Sequence, residues 1–312
     1  MIRVSICSRR VAYVSVLGPG GVGGFLAGAL ARTGQEVTVI ARPETAAHIR
    51  EHGLEVQSVR LGSFTARPAA VESLERPTEV LLVATKATGL RDALERIRID
   101  PELVVPLLNG VDHMQLLRER WGRARVAAGT IRIESDRPAP GRIVQTSPFL
   151  RVDLASDDPG PRAALARLSS TLEQAEIPTR TGPSEAQILW EKLVRLIALA
   201  CTTSAADCPI GFIRTDPQWR AALVGCLAES AAVARAEGAR IDPSSLLAEL
   251  EDAHAELGSS MQRDIAAGRE PELDAIAGAV LRAGARHGIE CPTIARLSEL
   301  IARRAGVAAP RV

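Results

Sequence analysis

The 312-residue sequence predicts an α/β protein, with an N-terminal doubly wound parallel sheet followed by an all-α C-terminal domain. Short runs rich in Val, Ile and Leu alternate with helical patterns through the first half, as in a parallel sheet covered on both faces. After residue 183 the pattern is helical, with no stretch of strand period. Because the chain also exceeds the usual size of a single core, we predict domains over 1–183 and 184–312.

The N-terminal domain is predicted to alternate strands and helices in the order of a wound sheet. Four buried strands lie at 11–17, 36–41, 79–85 and 103–109, with helices near 25–34, 43–53, 90–97 and 114–121. Shorter strand-like stretches lie near 54–59 and 64–69, later strands within 125–133, 141–147 and 149–155, and a last helix at about 161–175.

Capping signals divide the second domain into helices. Ser184 and Gln187 form an S-x-x-Q capping box that opens a helix running to about Ala205. Asp216-Pro217 pairs an N-cap with a first-turn proline before a helix that ends near Gly238. Further breaks are predicted near 242–243, 258, 268–271 and 288–292.

Charge, hydropathy and cysteine usage exclude several classes of protein. The 38 basic and 37 acidic residues give a net charge of +1, so no strong positive field is available for nucleic acid or an anionic membrane. No apolar run reaches the ~18 residues of a membrane span, and the basic start lacks the apolar stretch of a secretory signal. We therefore expect a cytoplasmic protein. The five cysteines lie far apart in the sequence and form no C-x-x-C pair, so they predict neither a disulfide framework nor a metal site. They are Cys7, Cys201, Cys208, Cys226 and Cys291.

A glycine-rich turn follows the first strand, where a dinucleotide-binding turn must lie. In Gly18-x-Gly20-x-x-Gly23 the first glycine permits the tight turn, the second lets the backbone approach a pyrophosphate, and the third lets helix and strand pack closely. The helix N-terminus adds positive potential. The predicted cofactor-binding residues of this turn are Gly18, Pro19, Gly20, Gly21, Val22 and Gly23.

The end of the second strand predicts which nucleotide binds. NAD sites place an acidic residue there for the ribose hydroxyls, whereas NADP sites use Arg for the 2′-phosphate. Here the strand ends in Ile40-Ala41-Arg42, so Arg42 predicts NADP(H). Glu44, two residues later, leaves NAD open.

Lysine and asparagine are rare enough in this chain to single out candidate site residues. Of the 38 basic residues only Lys86 and Lys192 are lysines, and Asn109 is the only asparagine. Lysine offers a compact ammonium whose pKa falls on burial, which arginine does not. Lys86 and Asn109 also follow the C-terminal ends of predicted parallel strands, the edge at which ligands bind.

These residues lie in segments that resemble the ketopantoate reductase (2-dehydropantoate 2-reductase) family, from Val11 to about Arg304. The matching segments are GPGGVGG, VTVIAR, VATKA, PLLNG, LWEKL, DCPIG, SSMQRDI, PELDAIAG and HGIECP. The resemblance implies a Rossmann-type domain and a helical domain like the C-terminal domain of 6-phosphogluconate dehydrogenase, with the active site between them. It also implies NADPH-dependent reduction of a small 2-oxo acid, a place in pantothenate biosynthesis, and a monomer or homodimer.

Five residues occupy positions of family site residues. Lys192 matches the general acid that protonates the carbonyl oxygen, and Glu272 matches a catalytic-site glutamate near the nicotinamide ribose and the substrate. Asn109 matches a contact to both nucleotide and substrate. Lys86 matches a lysine near the nicotinamide end of the nucleotide and is expected to contact both nucleotide and substrate. Ser260, the second serine of SSMQRD, matches a contact to the substrate carboxylate. No metal is implied.

Three departures from the family pattern predict an altered substrate pocket. Leu196, Ala200 and Ile210 stand where the family has asparagines that contact the substrate. A ketopantoate hydroxyl or carboxylate left unpaired there would cost ~1–3 kcal/mol for each group. Arg195, three residues after Lys192, either replaces one of these contacts or faces solvent.

Three functions therefore remain open. The first is reduction of a 2-oxo acid, ketopantoate included. The second is a diverged enzyme of a specialised pathway that acts on a more apolar ketone or an imine, or without net redox change. The third is nucleotide binding without turnover, which the retained Lys192 and Glu272 disfavour.

Overall fold

The computed structural model describes residues 13–311 and has a parallel-sheet N-terminal part followed by a helical part. Predictions for residues 11 and 12 and for Cys7 lie outside the described residues. The strands are β1 (Tyr13–Leu17), β2 (Glu36–Ile40), β3 (Leu54–Ser58), β4 (Gly62–Ala66), β5 (Ala69–Val71), β6 (Val80–Val83), β7 (Leu103–Pro106), β8 (Ala128–Arg132), β9 (Ser135–Ala139), β10 (Arg142–Gln145), β11 (Arg151–Ala155) and β12 (Thr179–Thr181). The helices are α1 (Gly21–Arg32), α2 (Pro43–His52), α3 (Leu90–Leu94), α4 (His113–Trp121), α5 (Arg162–Gln174), α6 (Glu185–Ala206), α7 (Ile210–Thr215), α8 (Pro217–Ala236), α9 (Pro243–Asp252), α10 (Ser260–Ala266), α11 (Ala279–Arg286) and α12 (Pro292–Ala305).

The central sheet is parallel throughout, with strand order β5-β2-β1-β6-β7. Strand β1 lies in the middle, and the apolar residues of β1, β6 and β7 are almost completely buried. This is the packing expected of strands covered by helices on both faces. The predicted doubly wound α/β fold is confirmed, and the carboxyl ends of β1, β6 and β7 meet at one edge.

The remaining strands, which lie between β2 and β5 or after β7, do not extend this sheet. They form a four-stranded sheet, β4-β3-β10-β9, and a three-stranded sheet, β12-β11-β8. Strands β9 and β12 lie outside every predicted stretch, because their residues are polar and half-buried or exposed, and β9 contains Pro138. Such edge strands exist through pairing with a neighbour, which leaves no apolar alternation in the sequence.

The helical part follows the predicted capping signals closely. Ser184 Oγ accepts a hydrogen bond from Gln187 N at 3.1 Å and so caps α6. The second half of the predicted capping box is absent, because the Gln187 side chain bonds the backbone N–H and C=O of Arg240 instead. Asp216 caps α8 through Gln218 N, as predicted. The boundary at residue 183 itself stays a prediction.

One large buried cluster joins α6, α7, α8 and α12, while two others fill the faces of the parallel sheet. Among residues 13–311, no helix has the length and apolar character needed to cross a membrane.

Candidate active site

Two loops at the carboxyl edge of the parallel sheet carry the first candidate residues. Lys86 lies three residues after β6 and Asn109 three residues after β7, and these two strands are neighbours. The glycine-rich turn after β1 lies beside them, because β1 pairs with β6. Two of the three residues singled out by rarity in the sequence, Lys86 and Asn109, thus share one edge of the sheet.

The glycine turn has the shape of a phosphate-binding cradle. Gly18 has φ +89°, and a Cβ there would lie 2.7 Å from Thr85 Cγ2, so only glycine fits. A Cβ on Gly23 would lie 2.2 Å from Gly18 O, which explains the close packing of α1 on the turn. A Cβ on Gly20 would meet nothing within 4 Å, so the turn opens at this point. Since no side chain caps α1, its first N–H groups fit the pyrophosphate of a dinucleotide.

Arg42 lies at the end of β2, directly before α2, with an exposed side chain. Within residues 13–311 its guanidinium has no hydrogen-bond or ion-pair partner, and Glu44 is likewise exposed in the first turn of α2. The position suits contact with the adenosine ribose of a nucleotide bound at the glycine turn.

Glu272 ties the helical part to both loops of the sheet edge. The residue is only 9% exposed, and its carboxylate accepts a hydrogen bond from Ala87 N at 3.0 Å and one from Asn109 Nδ2 at 2.9 Å. The loop after β7 is close-packed here, because a Cβ on Gly110 would lie 2.2 Å from Ala275 O. Glu272 therefore fixes the orientation of the Asn109 amide.

Lys86 is held by a carboxylate that sequence analysis did not single out. Its ammonium lies 2.8 Å from Asp264 Oδ2, and Arg269 Nε lies 2.8 Å from the other oxygen of the same carboxylate. Asp264 belongs to α10, so this ion pair is a second link between the two parts of the chain. The SSMQRDI segment contains Asp264, which is the signal that could have revealed it.

The two serines of that segment have different positions. Ser259 is buried and caps α10 by accepting a hydrogen bond from Gln262 N at 3.1 Å. Its hydroxyl also accepts a hydrogen bond from Thr203 Oγ1 at 3.1 Å. Ser260, the predicted carboxylate contact, is the first residue of α10 and is exposed.

Lys192 is the eighth residue of α6, half-buried where this helix packs against β8 and β11. Burial lowers the pKa of Lys192 to about 8, because removing water disfavours the ammonium. The negative charge of Glu272 opposes this shift, Arg132 reinforces it, and Asp153 opposes it. The pKa of Lys192 thus lies below that of an exposed lysine, and the Glu272 carboxylate whose charge acts on it is the one that accepts a hydrogen bond from Asn109.

A network of ion pairs surrounds this part of α6. Asp153 of β11, whose side chain is 3% exposed, lies 2.7 Å from Arg180 Nε and 2.8 Å from Arg151 Nε. Glu191 accepts from Arg180 at 3.1 Å and from Arg132 at 3.0 Å. Because Glu191 belongs to α6 and the others to the third sheet, the network fixes α6 against that sheet.

The positions that depart from the family pattern are mostly buried. Ala200 and Ile210 are 0% exposed in the core of the helical part, and Leu196 is half-buried against that core. Arg195 Nε lies 3.3 Å from Glu249, so Arg195 pairs with α9 rather than facing open solvent. Of the three apolar replacements, Leu196 alone retains exposure.

Among the residues that the structure describes, no group of three or more metal-ligating side chains lies together. Cys201, Cys208, Cys226 and Cys291 are free thiols. Burial raises the pKa of Cys201 to about 12, which keeps this thiol protonated and unreactive near neutral pH.

Comparisons with known proteins agree with one another. The family model described as ketopantoate reductase PanE/ApbA matches residues 14–155, and the model of its C-terminal part matches residues 186–305. A 2-dehydropantoate 2-reductase from Caulobacter vibrioides is 31% identical over 303 residues, covering 92% of this chain and 97% of that protein. A solved 2-dehydropantoate 2-reductase from Geobacter metallireducens has a TM-score of 0.85 at 26% identity, covering 93% of this chain and 99% of its own. A D-mandelate dehydrogenase solved with NADH and anilino(oxo)acetate shares the fold, with a TM-score of 0.85 at 22% identity over 94% of this chain and 98% of its own.

Proposed function

Because the chain belongs to the ketopantoate reductase family, we propose that it reduces the carbonyl group of a small 2-oxo acid with NADPH. The family supports an oxidoreductase that acts on CH–OH and C=O groups with a nicotinamide cofactor. The observation that carries the finer proposal is Lys192, a half-buried ammonium of lowered pKa that interacts with Glu272.

In the proposed reaction the bound nicotinamide nucleotide supplies the hydride. The chain's own residues bind and orient the substrate and protonate its carbonyl oxygen. Lys192 donates a hydrogen bond to the carbonyl oxygen, stabilises the negative charge that develops there, and delivers its proton from Nζ. Glu272 holds the Asn109 amide through its 2.9 Å hydrogen bond, so that Asn109 is oriented before ligands bind. Lys86 and Ser260 are the proposed contacts for the nicotinamide end and the substrate carboxylate.

Arg42 is proposed to select NADPH over NADH. Its exposed guanidinium is free to pair with a 2′-phosphate, a charge-assisted contact of ~1.5–3 kcal/mol. Arg42→Ala should therefore weaken NADPH binding by roughly 10–100-fold in fluorescence titrations and leave NADH binding nearly unchanged. Glu44→Ala is the matched control, since both side chains are exposed near the start of α2. If Arg42→Ala weakens the binding of both nucleotides equally, or of neither, Arg42 does not contact the 2′-phosphate.

A second candidate substrate class is a more apolar ketone or an imine. The observation that favours it is the loss of three polar positions, Leu196, Ala200 and Ile210, of which Leu196 keeps exposure. A D-mandelate dehydrogenase has the same fold, and its substrate, mandelate, is a hydroxy acid that carries an aromatic ring, which supports this second class.

Nucleotide oxidation assayed with a panel of ketones distinguishes these functions. Ketopantoate, unbranched aliphatic 2-oxo acids, an aromatic 2-oxo acid and a cyclic imine form the panel. Preference for ketopantoate would support the first function and a role in pantothenate biosynthesis, and preference for the aromatic acid or the imine would support the second. Tight NADPH binding without oxidation by any member would contradict the proposed reductase activity.

Leu196→Asn provides a sharper test of the altered pocket. Restoring an amide at the half-buried position should raise kcat/KM for ketopantoate relative to the aromatic acid by about 5–10-fold, since one hydrogen bond contributes ~1 kcal/mol. Ala200→Asn is the contrasting variant, because Ala200 is fully buried and an amide there should mainly lower thermal stability. An unchanged substrate ratio in Leu196→Asn would show that this residue does not contact substrate.

A further inference from the structure

Arg282 of α11 binds two acidic side chains that come from the two parts of the chain. Its Nε and Nη2 donate hydrogen bonds to one carboxylate oxygen of Asp112, at 3.2 and 2.7 Å. Its Nη1 and Nη2 donate to the two carboxylate oxygens of Asp274, at 2.7 and 3.2 Å. Asp112 directly precedes α4, whereas Asp274 lies in the helical part, between α10 and α11. One guanidinium therefore links the two parts.

The two carboxylates lie in the segments that carry candidate site residues. Asn109 lies three residues before Asp112, in the loop after β7, and Glu272 lies two residues before Asp274. The 2.9 Å hydrogen bond from Asn109 Nδ2 to Glu272 joins the same two segments. The segments are thus joined twice within a few residues, once at the candidate site and once beside it.

The backbone between these two links is tightly packed. A Cβ on Gly110 would lie 2.2 Å from Ala275 O, so the loop after β7 lies directly against the segment after Glu272. Residues Asp274–Gly278 form a π-helical turn, a rare conformation that is found frequently at functional sites. A displacement of either segment would therefore change the geometry of the Asn109–Glu272 hydrogen bond.

The positive charge of Arg282 lies between two negative charges. Asp112 Oδ2 and Asp274 Oδ2 are 2.7 and 3.2 Å from the same nitrogen, Arg282 Nη2, so the two carboxylates are close to each other. Without the guanidinium they would repel and push the two segments apart. Arginine suits this position, because its planar guanidinium binds two carboxylates at once, whereas an ammonium is a point charge.

We infer that Arg282 is a positioning residue, which holds the loop of Asn109 against Glu272 by binding Asp112 and Asp274 together. It acts through Asn109, the expected contact to nucleotide and substrate. The link between the two parts does not depend on the proposed function, whereas its effect on turnover rests on that function.

Three variants test the inference. Arg282→Met removes the positive charge and keeps a long side chain, so that the two carboxylates repel. Adding Asp112→Asn to it removes one negative charge and with it the repulsion. Both variants lose the 3.3 Å hydrogen bond from Arg282 Nη1 to Arg311 O, so any recovery comes from the carboxylates. The matched control is Arg286→Met, because Arg286 lies one turn further along α11 and pairs with Glu237 at 3.0 Å within the helical part.

Hydrogen exchange reports on the loop without any ligand. In Arg282→Met the amides of residues 109–112 should exchange about 3–10-fold faster than in the wild type, since the loop is no longer held. The double variant should recover most of this difference, and Arg286→Met should exchange like the wild type.

Nucleotide binding and turnover should follow the same order. Arg282→Met should weaken NADPH binding by about 3–10-fold in fluorescence titrations and lower kcat by about 5–20-fold, because Asn109 is displaced. The Asp112 and Asp274 side chains are 45% and 67% exposed, so salt screens their repulsion. At about 0.5 M salt the affinity of Arg282→Met, relative to that of the wild type, should therefore come within about twofold.

Two results would overturn the inference. One is exchange and nucleotide binding in Arg282→Met that equal those of the wild type. The other is a double variant as impaired as Arg282→Met, which would show that Arg282 acts by packing and not through the two carboxylates. If Arg282→Met does not fold, Asp112→Asn alone breaks the link at an exposed side chain. Exchange at residues 109–112 should then rise, and unchanged exchange would contradict the inference.

The two proposals fail in different ways. If the wild type oxidises no nucleotide with any substrate of the panel, the proposed function fails, while hydrogen exchange still decides the role of Arg282. If reduction is observed but exchange is the same in all variants, the reductase stands and the role of Arg282 is wrong.

Discussion

At the scale of the residue, the lowered pKa of Lys192 makes a quantitative prediction about catalysis. Lys192→Ala should leave NADPH binding and thermal stability largely intact and lower kcat by ~10²–10⁴-fold. Lys192→Arg should not restore turnover, because a guanidinium keeps its proton through any catalytic cycle. The measurement is stopped-flow nucleotide oxidation with the best ketone of the panel. Nearly full turnover in Lys192→Arg would show that this residue acts only as a fixed positive charge.

The pH dependence of reduction follows from the same residue. A general acid must be protonated before hydride transfer, and the pKa of Lys192 is lowered to about 8. The rate should therefore be constant below this value and fall about tenfold for each pH unit above it. Lys192→Ala should lose this alkaline limb. A wild-type profile that is flat well above pH 8 would be inconsistent with proton donation by Lys192.

At the scale of the element, the turn between β1 and α1 contains one glycine that should matter for nucleotide binding and another that should matter for folding. Gly20 has φ −73° and open space where its Cβ would be, so Gly20→Ala should fold with an unchanged melting temperature. The added methyl would occupy the open cradle and should weaken nucleotide binding by more than about tenfold. Gly21→Ala contrasts with it, because its Cβ would lie 1.9 Å from Ser135 O and should destabilise the fold. Unimpaired nucleotide binding by Gly20→Ala would place the pyrophosphate elsewhere.

Elements with an apolar pattern or a cap were predictable, and elements that depend on pairing were not. The central strands and α6 carry continuous buried runs, and Ser184 marks the start of α6. Strands β9 and β12 have no such pattern, because they are held by β10 and β11. Gln187 shows the same limit on a smaller scale, since this capping-box side chain bonds the backbone of Arg240, in the loop between α8 and α9.

At the scale of the whole molecule, the ion-pair network between α6 and the third sheet links stability to catalysis. Asp153→Asn leaves Arg151 and Arg180 without the carboxylate that they share. The free energy of unfolding should therefore fall by about 1–3 kcal/mol. It also removes a charge that raises the pKa of Lys192, so the alkaline limb should move to lower pH.

Denaturant unfolding and pH–rate profiles check both effects of Asp153→Asn. The control is Glu299→Gln, which removes an exposed pair with Arg303 on α12 and should change stability by less than about 0.5 kcal/mol. If the variant loses stability but the alkaline limb of its pH–rate profile does not shift, the network has only a structural role. An unchanged stability would show that the arginines are satisfied by Glu191 and water.

The family and the fold class were determined by the sequence itself, and both are confirmed. Short motifs suffice for this, because a glycine turn, a capping residue or a buried strand is specified by neighbours a few positions away. The tertiary structure alone decided which side chains meet. Glu272 reaches Asn109 across 163 positions, and Lys86 meets Asp264 across 178. Such contacts, like the burial of Ala200 and His113, depend on how helices pack against a sheet, and packing leaves no local pattern in the sequence.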